Sequence, residues 1–191
     1  MKLSVVKNSA LIIVDVQVDF CEGGSLPVEG CTSIIPKIND YVKLFTEAQA
    51  TIVASRDWHP ENHISFTTRG GPWPPHCVKG SKGAEFHPNL KLPKEAIIIS
   101  KATEPDQEAY SAFENTNLHY VLTLKKVKRV FICGIATDYC VKATALDALK
   151  LGYETIVLTD AIAGVNKQTS EEALKQLLKE GAILATKEDI T

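Results

Sequence analysis

The sequence has no long hydrophobic run and no large excess of charge. Its first apolar stretch, residues 10–14, ends at Asp15 and is too short for a signal-peptide core or a membrane span. The 21 Lys and Arg residues are balanced by 23 Asp and Glu residues, so the net charge is only −2. The largest basic cluster, within residues 125–129, is typical of a solvated helix end. We therefore expect neither a membrane nor a nucleic acid as partner.

Cysteine is also sparse. The chain has five cysteines in 191 residues, an odd number without the density of a disulfide scaffold. We expect all of them to be free thiols in a reducing compartment, which predicts a cytoplasmic protein. They stand at positions 21, 31, 77, 133 and 140.

The chain also lacks glycine-rich phosphate or dinucleotide motifs and internal repeats. It does contain short apolar runs, which are typical of strands buried on both faces of a parallel sheet. The six runs are residues 10–14, 51–55, 96–100, 129–133, 155–158 and 182–185. Helical patterns occupy residues 32–49, 137–151 and 170–180, with Gly152 and Gly181 placed to end the last two helices.

This alternation predicts one α/β domain covering residues 1–191. We expect a three-layer α/β/α architecture, in which helices flank a six-stranded, mainly parallel, Rossmann-like sheet. One interval breaks the pattern, because residues 56–93 hold six of the nine prolines and four of the five histidines. Long loops without secondary structure are usually functional. We therefore interpret residues 56–93 as a loop excursion that builds a metal site.

Reactive residues follow four of the predicted strands. Asp15 follows the first, Asp57 and His59 the second, Lys101 the third, and Cys140 lies just beyond the fourth. In open parallel sheets, ligands bind beyond the carboxyl ends of the strands. The sequence therefore predicts that these side chains meet at one edge of the sheet.

Cys140 falls in the first turn of the predicted helix at residues 137–151. Unpaired N–H groups and the positive end of the helix dipole favour a thiolate there, which predicts a thiol pKa below the usual value. The same N–H groups are suited to stabilise an oxyanion. The alternative is that Cys140 is a small buried hydrophobic residue, the commoner fate of an intracellular cysteine.

Asp15 and Lys101 each end an apolar run. Considered alone, Asp15 could be a turn or helix cap. Lys101, considered alone, could extend its side chain to solvent. If both converge on Cys140, the lysine offsets the carboxylate's charge and the carboxylate can accept the thiol proton. Our hypothesis is that Asp15, Lys101 and Cys140 lie in contact with one another.

Asp57, His59 and His76 form a second group, since Asp-x-His with a distant histidine matches an open site for a divalent transition metal. The assignment of His63 stays open, because Pro60 argues against a helix that would place it on the same face. Isolated histidines are also common as ordinary surface or hydrogen-bonded residues. Two loop aromatics, Phe20 and Trp73, are equally compatible with core anchors or with ligand contacts.

Four segments resemble the isochorismatase-like cysteine hydrolases. The motifs around Asp15 and Cys140 are typical of that superfamily, whereas the Asp57/His59 pair and the Trp-Pro-Pro-His-Cys stretch resemble its nicotinamidase (pyrazinamidase) branch. The segments, which run in order through most of the chain, are Asp15-Val16-Gln17-Val18-Asp19-Phe20, Ser55-Arg56-Asp57-Trp58-His59-Pro60, Trp73-Pro74-Pro75-His76-Cys77-Val78-Lys79-Gly80 and Gly134-Ile135-Ala136-Thr137-Asp138-Tyr139-Cys140-Val141.

The resemblance implies a set of roles. By it, the catalytic triad is Asp15, Lys101 and Cys140. One divalent ion, zinc or else iron or manganese, is held by Asp57, His59 and His76. Phe20 and Trp73 flank the pyridine ring of the substrate. A cis peptide between Ile135 and Ala136 makes the Ala136 N–H part of an oxyanion hole, together with the N–H of Cys140.

The activity that the resemblance implies is hydrolysis of nicotinamide, and of pyrazinamide, through a cysteine thioester, as a step of NAD salvage. A small molecule is then the expected partner, and a homo-oligomer is compatible with the sequence. Two alternatives stay open: an amidohydrolase of the same superfamily acting on carbamoyl or ureido compounds, and a non-catalytic zinc-binding domain. The chain departs from the usual pattern at Ala102, where glycine is frequent, and in residues 103–111 before and around the Tyr-Ser-Ala-Phe element. We expect this segment to border the pocket and therefore to influence which substrate the chain prefers.

Overall fold

A computed structural model describes residues 2–191 of the chain. Its six strands form one sheet in the order β3-β2-β1-β4-β5-β6, and every neighbouring pair is parallel. This is the doubly wound, Rossmann-like order, in which the strand order reverses between β1 and β4. The strands are β1 Ser9–Val14, β2 Thr51–Asp57, β3 Ile97–Lys101, β4 Arg129–Ile135, β5 Glu154–Ala163 and β6 Ile183–Ala185.

The apolar runs form strands because the sheet is covered on both sides. All six residues of β1, at the centre, are buried. The edge strand β3 is less covered, with Ile98 at 42% exposure. All six predicted strands are found, although β5 continues to residue 163 instead of stopping at 158.

Four α-helices complete the three layers: α1 Cys31–Glu47, α2 Leu118–Leu124, α3 Lys142–Lys150 and α4 Lys167–Lys179. Helix α1 packs Ile35, Ile38 and Phe45 against one face of the sheet, while α2, α3 and α4 cover the other face. The predicted α/β class and layering are thus confirmed. No helix within residues 2–191 combines the length and apolar character that crossing a membrane would need.

Helix boundaries differ from the prediction in three places. Helix α4 begins at Lys167, three residues before the predicted start at residue 170, because Asn166 is its N-cap: the Asn166 side chain accepts a hydrogen bond from the Thr169 N–H at 3.1 Å. The pattern at residues 137–151 divides into a π-helical turn, Thr137–Val141, followed by α3. Helix α2 was not predicted at all. Gly152 and Gly181, however, do end α3 and α4 with the expected positive φ values of 85° and 105°.

Residues 58–96, between β2 and β3, contain turns, isolated bridges and two short 3₁₀ segments, Thr67–Arg69 and Lys82–Ala84. Buried polar contacts hold this long connection against the first loop of the chain. The side chain of Gln17, for example, donates to the carbonyls of Asp57 and Ala84 and accepts from the Asp57 N–H, all within 2.9 Å. The carboxylate of Asp19 accepts from the Cys77 N–H at 2.8 Å. These contacts place the excursion over the carboxyl ends of the strands.

The expectation of five free thiols is wrong for two cysteines. Cys21 and Cys31 form a disulfide, with their Cα atoms 5.0 Å apart, and only Cys77, Cys133 and Cys140 are free. The loop folds back on itself because Glu22 accepts hydrogen bonds from the N–H groups of Gly30 and Thr32 at the start of α1, and this brings the two sulfurs together. The cysteines therefore no longer support the prediction of a reducing compartment.

Replacing both Cys21 and Cys31 by alanine should lower the free energy of unfolding by about 3 kcal/mol, because the disulfide closes a loop of about 11 residues in the unfolded chain. Chemical denaturation monitored by circular dichroism measures this change. The matched control is Cys77→Ala with Cys133→Ala, which removes two buried sulfurs without removing a cross-link. Titration of five thiols instead of three in the denatured, unreduced wild type would show that the disulfide is absent.

Candidate active site

A pocket opens at the carboxyl edge of the sheet, beside the point where the strand order reverses. It is a small cavity that is open to solvent at its mouth. Residues from both ends of the chain build it, and they divide into a polar floor and largely apolar walls. The lining residues are Asp15, Phe20, Leu26, Pro27, Val28, Asp57, Trp73, His76, Glu108, Tyr110, Ile135, Ala136, Tyr139, Cys140 and Val165.

Lys101, the last residue of β3, is buried beneath the pocket floor. Its Nζ lies 2.9 Å from Asp15 Oδ2, 2.5 Å from Asp57 Oδ1 and 3.5 Å from Cys140 Sγ. It also donates to the carbonyl of Ala109 at 3.2 Å. Burial alone would lower the pKa of this ammonium, but the two carboxylates outweigh burial and raise it well above its usual value. The lysine is therefore a fixed positive charge that holds the two acidic side chains beside the sulfur.

Asp15 directly follows β1 and has a φ of 50°, which turns its side chain back over the sheet edge. Its Oδ1 accepts a hydrogen bond at 2.7 Å from Ser55, whose strand β2 lies next to β1. Its Oδ2 contacts Lys101 but accepts no well-directed hydrogen bond among the described residues. Burial raises the pKa of Asp15, with Lys101 opposing that effect. A carboxylate with a raised pKa, one of whose oxygens accepts no hydrogen bond from residues 2–191, is well suited to accept the proton of a neighbouring thiol.

Cys140 lies in the π-helical turn, at the pocket end of β4. The sequence predicted a lowered thiol pKa from the helix terminus, and that prediction is wrong. Burial raises the pKa of Cys140 well above its usual value, and although Lys101 opposes this effect, Asp15 and Asp57 add to it. Burial thus favours the neutral thiol over the thiolate, so a thiolate would form only if a neighbouring base accepted the proton.

Asp57, His59 and His76 come together on the other side of Lys101, with one ligand atom from each within 4.8 Å of the others. Asp57 Oδ2 lies 3.5 Å from His59 Nε2 and 3.9 Å from His76 Nε2. The opposite ring nitrogens are held by backbone carbonyls, that of Ala102 for His59 and that of Pro74 for His76. Such outer contacts fix the ring orientation in metal centres. The donor set fits a divalent metal ion.

His63 remained ambiguous in the sequence, and the structure places it outside this ligand group. Its ring stacks on His59 at 4.1 Å between centroids. Both of its nitrogens are already engaged, Nδ1 with Ser65 Oγ at 2.7 Å and Nε2 with the carbonyl of Gln107 at 2.9 Å. His63 therefore supports the ring of His59 from the side.

Phe20 and Trp73 both line the pocket. Phe20 packs against the ring of His76 with centroids 5.5 Å apart, so it stands next to the metal-ligand group. Trp73 donates from Nε1 to the hydroxyl of Tyr110 at 3.2 Å and meets Tyr139 edge-on. Tyr110 and Tyr139 are pocket residues that the sequence analysis did not single out.

Asp138 was also missed, although it lies two residues before Cys140. Its buried carboxylate accepts hydrogen bonds from the N–H groups of Val165 and Asn166 and from the hydroxyl of Thr169. It therefore ties the turn carrying the sulfur to the start of α4 and to Val165 at the pocket wall. The signal was an acidic residue inside the first turn of a predicted helix, but its partners lie about 30 residues away.

The fold order, the buried thiol and the adjoining donor group define the class of this protein. The chain belongs to the isochorismatase family, whose profile, described as the isochorismatase domain, matches residues 9–189. The family resemblance read from the motifs is thus confirmed. The cis peptide that it implied is present between Ile135 and Ala136.

Within this family, the chain is similar to nicotinamidases. It is 43% identical to the nicotinamidase/pyrazinamidase of Mycobacterium tuberculosis, with 88% of this chain and 93% of that protein covered. The pyrazinamidase of Pyrococcus horikoshii, solved in complex with zinc, is 56% identical with a TM-score of 0.92, over 94% of this chain and 99% of that one. The protein PnC1 of L. infantum, solved in complex with nicotinate, is 37% identical with a TM-score of 0.92, over 100% and 99% of the two chains.

Proposed function

We propose that this chain hydrolyses the carboxamide of nicotinamide, giving nicotinate and ammonia, with pyrazinamide as a second substrate. Cys140 is the nucleophile, Asp15 the proton carrier and Lys101 the cation that holds both. The observation that carries the proposal is the contact of Lys101 Nζ with Cys140 Sγ at 3.5 Å and with Asp15 Oδ2 at 2.9 Å, at the floor of a small pocket. The sequence similarity of this chain to nicotinamidases supports the proposal.

In the first half of the reaction, Asp15 accepts the thiol proton and the sulfur of Cys140 forms a bond to the carboxamide carbon. The raised pKa of Asp15 makes it a stronger base than a solvent-exposed carboxylate. Asp15 then passes the proton to the departing nitrogen as the carbon–nitrogen bond breaks. Ammonia leaves, and the acyl group remains on the sulfur as a thioester.

The negative charge on the carbonyl oxygen needs hydrogen-bond donors. We assign this role to the backbone N–H groups of Ala136 and Cys140, at the junction of β4 and the π-helical turn, which line the same pocket. A donor of this kind is worth roughly 3 kcal/mol in comparable enzymes. In the second half, Asp15 takes a proton from water, the water oxygen bonds to the acyl carbon, and the thioester breaks to release nicotinate and the thiol.

Asp57, His59 and His76 are the proposed ligands of one divalent ion, for which zinc is our first choice and iron or manganese are alternatives, since all three accept nitrogen and oxygen ligands. Such an ion would act as a Lewis acid toward the nitrogen of a pyridine ring. Phe20 and Trp73 then lie at the ring's flanks. This donor group is our reason to prefer a heteroaromatic amide over a carbamoyl or ureido compound.

Ammonia release measured in a coupled assay tests the proposal. The purified chain, supplied in turn with zinc, iron(II) and manganese(II), should release ammonia from nicotinamide and pyrazinamide at a kcat in the ordinary enzymatic range, roughly 1–10³ per second. N-carbamoyl and ureido compounds of similar size serve as comparison substrates. Faster turnover of those compounds than of nicotinamide would overturn the substrate assignment, and no turnover of any amide would favour a non-catalytic metal-binding domain.

A further inference from the structure

Glu108 is a pocket residue that the proposed reaction does not use. It lies between β3 and α2, in the segment where the sequence departs from the family pattern, and it lines the same cavity as Cys140 and Asp57. The lining of that cavity is mainly apolar and includes Leu26 and Val28.

The carboxylate of Glu108 is anchored in place. Its Oε1 accepts a hydrogen bond from the Ala109 N–H at 3.0 Å, and the carbonyl of Ala109 accepts from Lys101 Nζ at 3.2 Å. Within residues 2–191, no Lys, Arg or His nitrogen lies within 4.0 Å of the Glu108 carboxylate. Glu108 therefore presents an unneutralised negative charge to the ligand space.

The charge of Glu108 acts differently on the substrate and on the product of amide hydrolysis. The substrate is neutral, whereas the product that stays in the pocket is a carboxylate. A divalent ion and Lys101 supply three positive charges, and Asp15 and Asp57 supply two negative ones, so the catalytic floor with its metal would retain one positive charge and would attract the anion. Glu108 brings that balance to zero.

We propose that Glu108 is a specificity-determining residue, whose charge weakens binding of the carboxylate product relative to the neutral amide and so favours product release. This inference rests on the proposed function. It concerns which ligand the pocket binds more tightly, the neutral amide or the carboxylate, and adds no step in which bonds form or break.

Binding measurements in a non-turning-over background test the inference. In protein carrying Cys140→Ala, the dissociation constants of nicotinamide and nicotinate are measured by calorimetry with and without Glu108→Gln. Glutamine keeps the shape and the acceptor for the Ala109 N–H but removes the charge. We expect the affinity for nicotinate relative to nicotinamide to rise about fivefold or more, since a charge facing a ligand across a pocket is weakly screened.

Glu114→Gln is the matched control, because it removes the same charge from an exposed side chain six residues away that does not line the pocket. It should leave the affinity ratio unchanged. Glu108→Ala provides a second variant if Glu108→Gln melts early, and the same rise is expected. An unchanged ratio in both Glu108 variants, or an equal rise in Glu114→Gln, overturns the inference. Failure of the wild type to release ammonia from nicotinamide would instead refute the proposed function.

Discussion

Replacing Cys140 by alanine is expected to reduce kcat for nicotinamide hydrolysis by about 10⁴-fold or more, because no other group in the pocket can form the thioester. Binding should persist, since the ring contacts and the metal ligands stay in place. Single-turnover assays of ammonia release, together with calorimetric titration of nicotinamide, separate the two effects. The proposed chemistry predicts a lost reaction in a site that still binds its ligand.

Cys133→Ala is the natural control for this variant. Cys133 is a buried free thiol on β4, but it packs in the core under α1 and does not line the pocket. It should cost stability without a comparable loss of kcat. Residual turnover of Cys140→Ala within about tenfold of the wild type would contradict a nucleophilic role. Mass spectrometry of wild type quenched during turnover should in addition show the acyl group on residue 140.

Much of the sheet could be predicted from the sequence because burial on both faces leaves a simple signal. Runs such as residues 10–14 and 129–133 have no polar alternation, so they fit only covered strands. Helix α2 escaped prediction because it has only seven residues, and two of its apolar side chains, Tyr120 and Leu124, face solvent at 65% and 64% exposure. Since Leu118 and Leu122 are buried on the other side, apolar residues lie on both sides of this short helix and leave no wholly polar face to contrast with the buried one.

The part of the candidate site that follows from the order of the parallel strands could be predicted from the sequence. Parallel strands deliver Asp15, Asp57, Lys101 and Cys140 to one edge whatever the loops do. The remaining contacts depend on pairing between distant segments. The link between Ser55 and Asp15 follows from the register of β1 and β2 and could not be read from either segment alone.

The disulfide and the thiol pKa were missed for related reasons. Counting cysteines gives no information on whether the loop at residues 22–30 folds back to bring Cys21 and Cys31 together. The position of Cys140 near a helix start indicated a stabilised thiolate, but the sequence does not show that the residue is buried. Burial raises the pKa of this thiol instead. In the proposed mechanism a protonated thiol needs a base, and that role is the one assigned to Asp15.

Replacing His76 by alanine is expected to weaken binding of the divalent ion by at least about 100-fold, because even the loss of an outer contact to a ligand costs 10- to 100-fold. The same holds for His59→Ala. Both side chains lie in a group whose ligand atoms are within 4.8 Å of one another. Their other ring nitrogens are hydrogen-bonded to the carbonyls of Ala102 and Pro74. Elemental analysis after dialysis against a weak chelator measures the metal content directly, independently of activity.

His119→Ala is the control for these two variants, because His119 lies far from the pocket on α2, hydrogen-bonded to the hydroxyl of Tyr153. It should retain the metal. His63→Ala tests the remaining ambiguity: since both nitrogens of His63 are engaged by Ser65 and Gln107, metal content should fall far less than in His76→Ala. Equal metal loss in His63→Ala would make His63 a ligand, and full retention in both His59→Ala and His76→Ala would place the ion elsewhere. Loss of metal should also raise KM more than it lowers kcat, because the cation is assigned to holding the ring while Cys140 and Asp15 carry the bond changes.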